Sequence, residues 1–276
     1  RLPPLARQAH PLTDAAEGAR DPKPYARTVW NCGDRRRLGY DRPMSDDAAP
    51  PELARVLETS VRFYAAIDDI LGDKRDIGTH RDLLTQGTIA TAFEHGVSIV
   101  LLVEANQLAS ASVLLRAQFE ALVRALWLHF AADDAWIESY FTKLQADPGK
   151  DPGNPLSMDK MLQHLAVKAP RGIASKLQTL KDAVWGPLNS YVHAGIHSVV
   201  HQHAGVPDEF APATVRNSNG LTGMAALLAA ELSGDSQQMM RILQAQSAHL
   251  DCLPPVIAPT RAPPRNHHED RGDASA

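Results

Sequence analysis

Histidines are concentrated in one stretch of the chain, where His193, His197, His201 and His203 fall within eleven residues. Residues four positions apart share one face of a helix, so the first three would form a row. Imidazole titrates near neutral pH and can act as a general acid or base in catalysis. We therefore take His193 and His197 as candidate catalytic residues, with Tyr191 as a neighbouring candidate binding residue.

The same row could bind a transition metal, because two imidazoles at this spacing can chelate one. Glu94 or Glu120 could complete such a site. However, the HExxH pattern does not occur, and a histidine beside a helix–helix contact is more often a packing residue. We predict no metal site and no cofactor, and keep a histidine-based metalloprotein as an alternative.

Arg116, Glu120 and Arg124 form a second group, spaced four residues apart in an otherwise apolar segment. A helix that is apolar on nearly all sides is expected at the centre of a bundle. One interpretation is a ladder of ion pairs along a single helix. The other is that Arg116 and Glu120 point into a cleft between helices, since buried charges must be paired. In that cleft Arg116 would bind an anionic group, and Glu120, a further candidate catalytic residue, would orient Arg116 or a histidine.

Apolar residues recur at helical spacing through the middle of the chain, and alternating β-branched runs between turn residues do not occur. This pattern predicts an all-α helical bundle of roughly five to seven helices. Val192, Ile196, Val199 and His203 should form the core stripe of the helix that carries the histidine row. The predicted helices cover residues 52–71, 81–107, 110–132, 135–145, 187–203 and 221–250, the last with an interruption at Ser233 to Asp235. Two further short helical segments are predicted at residues 158–167 and 172–185.

The two ends of the chain differ from this helical middle. Residues 1–50 are rich in proline and arginine, and we predict a disordered or non-native extension there, with the biological start at Met44. Residues 254–276 are rich in proline and polar side chains, which predicts a disordered tail. A single helical-bundle domain would then occupy residues 51–253.

Charge and composition exclude several classes of protein. The formal net charge is −4 and basic side chains are concentrated before Met44, so the predicted domain is acidic and has no electrostatic reason to hold polyanions non-specifically. Two cysteines cannot build a disulfide scaffold or a cysteine-rich zinc module. No apolar run reaches about 18 residues and no secretory signal pattern occurs, which predicts a cytoplasmic protein that does not span a membrane.

Two short motifs carry a resemblance. The segment Leu115 to Glu120 resembles the Arg-x-x-x-Glu helix of a group of uncharacterised bacterial helical proteins, and Tyr191 to Gly195 resembles their later Tyr-x-His-Gly/Ala element. These proteins are similar to the HEPN superfamily, which includes ribonucleases and inactive nucleotide- or RNA-binding members. Arg124 and His129 match the Arg–His spacing of the ribonucleases, but an uninterrupted helix places them on different faces. The resemblance implies a site made of Arg116, Glu120, Tyr191, His193 and His197.

The leading hypothesis is therefore a HEPN-like bundle, expected to be a homodimer, that binds a nucleotide or an RNA element in an inter-helix cleft. An enzymatic version adds metal-independent RNA cleavage, with His193 as the general base toward a ribose 2′-hydroxyl. A different class is a non-enzymatic interaction or scaffold protein, in which the charged stripe only fixes helix register. A surface without a positive cleft would favour this scaffold class over RNA binding.

Overall fold

The computed structural model describes residues 51–72, 78–147 and 156–255. Regular secondary structure in these ranges is entirely helical, which confirms the predicted all-α class. The predicted extension over residues 1–50 and residues 256–276 of the predicted tail lie outside the described residues. The helices are α1 Pro51–Leu71, α2 His80–Glu104, α3 Leu108–Phe130, α4 Asp134–Ala146, α5 Met158–Lys168, α6 Ile173–Val192, α7 Ile196–Ala204, α8 Phe210–Ser233 and α9 Ser236–Ala248, followed by a 3-10 turn at Leu250–Cys252.

Side-chain caps fix where several helices begin. Thr79 and Asp82 form a capping box at the start of α2, in which each side chain accepts a hydrogen bond from the other residue's backbone N–H. Ser157 accepts from the backbone N–H of Lys160 before α5, and Asp235 caps α9 in the same manner. Gly234 ends α8 at its C-terminus with a φ of 66°, so the predicted interruption at Ser233 to Asp235 is confirmed.

The centre of the bundle is α3, which packs against α2, α5, α6 and α8. Its buried side chains lie around nearly its whole circumference, including Leu115, Phe119, Leu122 and Leu126. A helix that is apolar all round belongs in the interior, as the sequence predicts. On the other side of the core, α8 packs against α1 and α2.

Polar side chains lie at the point where α1, α2, α3 and α8 meet. The Tyr64 hydroxyl shares a hydrogen bond of 2.9 Å with Oγ1 of Thr222, and the amide of Gln118 donates to Thr222 and to the carbonyl of Ser218. The Ser218 hydroxyl donates back to Gln118 at 2.8 Å. Gly96 of α2 allows this close approach, because a Cβ there would lie 2.5 Å from the Tyr64 oxygen. We call Tyr64, Gln118, Ser218 and Thr222 the core polar cluster.

The helix count and two boundaries differ from the predictions. Nine α-helices occur in the described ranges, rather than five to seven. Pro187 lies inside α6 instead of starting a new helix. Pro187 and Ala183, whose carbonyl loses its helical hydrogen bond there, are both exposed, so water can replace that bond. Likewise α8 begins at Phe210 with Pro212 in its first turn, where proline needs no N–H partner.

The predicted helix over residues 187–203 is broken in the middle. Ala194 has a φ of 50°, and Gly195 follows it in an extended conformation before α7 begins. The predicted core stripe is therefore wrong, because Val192, Ile196 and Val199 are all exposed. The break separates α6 from α7, so the stripe of an uninterrupted helix does not form.

One helix of the described ranges, α2, is long and apolar enough to cross a membrane by length and composition. Core helices of soluble proteins meet the same criterion, and α2 packs against α3 and α8. This feature is weak support for a span, and the absence of a membrane span stays a prediction.

Candidate functional site

Arg116 lies on the side of α3 that faces α6. Its Nε donates to Oε1 of Glu120 at 2.9 Å, and its Cζ lies 4.8 Å from the centroid of the Trp185 ring. The predicted ion pair is thus formed within one helix, and the indole covers the guanidinium through a cation–π contact. Arg124 adds no further ion pair among the residues that the structure describes.

We call Arg116, Glu120, Trp185 and Lys181 the Arg116 cluster. Two of its features would allow it to bind an anion. The Arg116 Nη1 is buried without a hydrogen-bond partner, although the side chain as a whole is 21% exposed. The Nζ of Lys181 lies 5.6 Å from the same Trp185 ring and pairs with Asp159. Two cations therefore flank one indole, each compensated on one side by a carboxylate, and the guanidinium retains unused donors.

A second group lies where α6, α7 and α8 meet. The buried Tyr191 ring contacts the rings of His201 and Phe210, with centroids 5.8 Å and 6.0 Å away. Burial raises the pKa of the Tyr191 phenol, so it is a neutral donor at physiological pH. Beside these rings is a hollow of about 290 Å³ lined by Tyr191, Ile196, His197, Val200, His201 and Phe210.

The histidine row of the sequence is split by the turn between the two helices. His193 is the exposed C-terminal cap of α6, and its backbone N–H donates to the carbonyl of Asn189. His197 lies on α7, where its backbone N–H donates to Oγ of Ser190 at 2.9 Å. Gly195 is required between them, because a Cβ there would lie 2.7 Å from that same Ser190 oxygen.

Four of the five predicted site residues therefore fall into two groups, and His193 belongs to neither. Arg116 and Glu120 contact each other, and Tyr191 and His197 line the hollow beside α7. In the described ranges, the hydrogen bonds, ion pairs and ring contacts of Arg116 and Glu120 do not include Tyr191, His193 or His197. The catalytic and binding roles that the sequence suggests for these five residues stay predictions.

The family model that matches this sequence covers residues 89–255, from α2 to the end of the described structure. The chain belongs to DUF6988. It is a family of unknown function, and both the Arg116 cluster and the hollow beside α7 lie within the matched part. Neither a curated protein nor a solved structure shows a significant match to the chain. Membership of DUF6988 does not test the resemblance to the HEPN superfamily, which stays a prediction.

Two residues with aromatic rings, His201 and Phe210, line the hollow of this DUF6988 chain, although the site predicted from the sequence omits them. His201 lines it with a buried Nδ1 that has no hydrogen-bond partner, and Phe210 closes one side. His201 could have been predicted as a lining residue, because it lies four positions after His197 and so on the same helix face. No local pattern could have suggested Phe210, because its position depends on the path of the chain through Pro207.

A metal site built on the histidine row receives no support from the described part of this DUF6988 chain. Within residues 51–72, 78–147 and 156–255, no three histidine, cysteine, aspartate or glutamate side chains lie close enough together to hold a metal ion. The turn at Ala194 is one reason, because it places His193 and His197 on different helices.

Proposed function

We propose that this DUF6988 chain is a non-enzymatic interaction protein whose α7 surface binds a second copy of the same chain. The observation that carries the proposal is that α7 contains no buried residue although it carries large apolar side chains. Ile196 and Val199 are 67% and 57% exposed. A helix of nine residues is marginal on its own, and most helices are stabilised by packing an apolar face. Contiguous exposed apolar side chains of this kind mark interaction sites.

We call Val192, Ile196, Val199, Val200 and the adjacent hollow the α7 face. Its charge supports a second copy as the partner, because residues 183–207 contain no aspartate, glutamate, lysine or arginine. In a two-fold interface each patch meets its own copy, so a fixed charge there would lie close to a like charge. A face without fixed charge avoids that repulsion.

The shape of the α7 face also suits a two-fold interface. Such an interface needs both a projecting side chain and a receiving hollow on the same surface. Ile196 and Val199 project from α7, and the hollow of about 290 Å³ lies next to them. A stable interface buries about 800 Å² on each partner, more than one short helix supplies. We therefore expect Val192 and Val206 to join the contact, and the affinity to be micromolar.

The test compares two exposed apolar residues on different helices. Val199→Glu places a carboxylate on the α7 face, while Met240→Glu places one on α9, where the side chain is equally exposed at 57%. Light scattering of the full chain at about 100 µM should give twice the chain mass for the unaltered protein and for Met240→Glu, and the monomer mass for Val199→Glu. All three should melt at nearly the same temperature. A monomeric unaltered protein, or a Val199→Glu dimer, would contradict the proposal.

Nucleotide or RNA binding in a HEPN-like bundle is a second candidate, supported by the unpartnered Nη1 of Arg116 beside Trp185. Arginine is well suited to phosphate because its planar fork presents several donors. Arg116→Ala should then abolish binding of AMP or a short RNA measured by calorimetry, while lowering the free energy of unfolding by no more than about 1 kcal/mol. If Arg116→Ala unfolded the protein as well as abolishing binding, Arg116 and Glu120 would have a structural role instead.

A further inference from the structure

A hollow of about 570 Å³ lies at the C-terminal end of α3, between α3, α4 and α5. Its volume lies within the range of about 300–1,000 Å³ that is common for small-molecule sites. Its apolar lining includes Trp127 of α3, Trp136 of α4, Leu156 and Val167. Gln163, His164 and Lys168 of α5 bring polar groups to its rim. We call it the tryptophan hollow.

The aromatic walls are held in fixed orientations. The rings of Trp127 and Trp136 meet edge to face, with centroids 4.9 Å apart and an angle of 70° between their planes. Tyr140 supports Trp136 from one side at 4.9 Å. Trp127 is almost fully buried, while Trp136 is only partly covered. The indole of Trp136 is therefore a fixed, partly exposed surface on which a flat ring can stack.

The polar rim mainly offers hydrogen-bond donors. The indole N–H of Trp127 donates to Nδ1 of His164 at 3.4 Å, so a neutral His164 carries its proton on Nε2 and can donate it. Lys168 donates to the carbonyl of Ala131 at 3.0 Å and still has further protons. Oδ1 of Asp133 lies 3.6 Å from Nζ of Lys168. This carboxylate compensates the charge of the lysine, so a bound molecule need not be charged.

We propose that the tryptophan hollow binds a planar aromatic small molecule that carries hydrogen-bond acceptors, such as a purine base or an aromatic acid. The partly exposed Trp136 indole would stack against its ring, while His164, Gln163 and Lys168 would donate to its acceptors. This site is independent of the α7 face, because its helical lining comes from α3, α4 and α5, whereas that of the hollow beside α7 comes from α6, α7 and α8. Binding here therefore neither requires nor excludes self-association.

Val167 provides a variant that can block the hollow without disturbing the core. It lines the hollow and is 85% exposed, so Val167→Trp adds bulk at the opening and removes no buried contact. Met240→Trp is the matched control, since it adds the same ring to an exposed position on α9. Thermal melting of both variants first checks that the fold is unchanged.

The experiment titrates the full chain with adenine and, separately, with 2-naphthoate, and follows the ligands by saturation-transfer NMR. We expect saturable binding of at least one probe with a Kd of about 1 mM or tighter, weakened at least about tenfold by Val167→Trp and unchanged by Met240→Trp. Adenine binding would identify a neutral heteroaromatic ligand, and 2-naphthoate binding an aromatic acid. No saturation by either probe up to about 10 mM, or equal binding by Val167→Trp, would overturn the proposal.

Discussion

The buried centre of the bundle and the surface of α7 both depart from the usual distribution of side chains. In the core polar cluster, the side chains of Tyr64, Gln118 and Thr222 are buried, yet each has a partner within the chain. On the α7 face, Ile196 and Val199 are apolar and exposed, and no part of the described chain covers them. Buried polar groups with partners inside the chain stabilise the fold, whereas the uncovered apolar groups of α7 are the basis of the proposed contact with a second copy.

The largest effect on stability should come from adding a side chain at Gly96, where α2 packs closely against the core polar cluster. Gly96→Val places a Cβ 2.5 Å from the Tyr64 oxygen, 2.7 Å from Thr222 Oγ1 and 2.8 Å from Gln118 Nε2. Because these groups are buried on all sides, we expect a loss of about 3 kcal/mol in the free energy of unfolding, measured by urea denaturation. Their contacts should break together.

Gly87 is the matched control on the same helix, because a Cβ there meets nothing within 4 Å. Gly87→Ala should raise the free energy of unfolding by about 0.5–1 kcal/mol, since alanine has the higher helix propensity. If Gly96→Val and Gly87→Ala had similar effects, the close packing around Gly96 would not be what stabilises the centre of the bundle.

A smaller effect should follow from removing one hydroxyl of the core polar cluster. Tyr64→Phe breaks the hydrogen bond to Thr222 and should cost about 1 kcal/mol at pH 7. Burial raises the pKa of the Tyr64 phenol from 10.0 to about 12. Since the unfolded chain releases this proton first, the contribution of Tyr64 is present below pH 10 and is lost as the pH rises toward 12.

Urea denaturation at pH 7, 10 and 11 measures this dependence. Stability should fall less steeply above pH 10 in Tyr64→Phe than in the unaltered protein. Burial also raises the pKa of the Cys252 thiol to about 11, so part of the alkaline loss should remain in the variant. Tyr140→Phe, which removes a phenol outside the core polar cluster, is the control. Identical slopes for Tyr64→Phe and the unaltered protein would exclude the phenol as a source of the alkaline loss.

The sequence predicts the helical class and the central position of α3 because both depend on local apolar spacing. It also predicts the break near Gly234, since a left-handed glycine is a local feature. It does not predict the core polar cluster, because Gln118 and Ser218 are brought together only by the packing of α3 against α8.

Only part of the candidate site could be predicted from the sequence, because the rest depends on how the chain turns between α6 and α7. The ion pair of Arg116 and Glu120 follows from their spacing, and the structure contains it. The single row of His193, His197 and His201 assumes an unbroken helix, and the positive φ of Ala194 breaks it. Alanine rarely adopts that conformation, so its residue type gave no indication of the turn.

Amide hydrogen exchange of the full chain, followed at protein concentrations from about 1 µM to about 100 µM, tests the central claim most directly, because it reports both regions at once. If the α7 face binds a second copy, the amides of His201 to Ala204 should exchange rapidly in the dilute sample and become protected in the concentrated one. The amides of Gln118 to Leu126 in α3 should be protected at every concentration. Exchange of α7 that does not change with concentration would contradict self-association through this face.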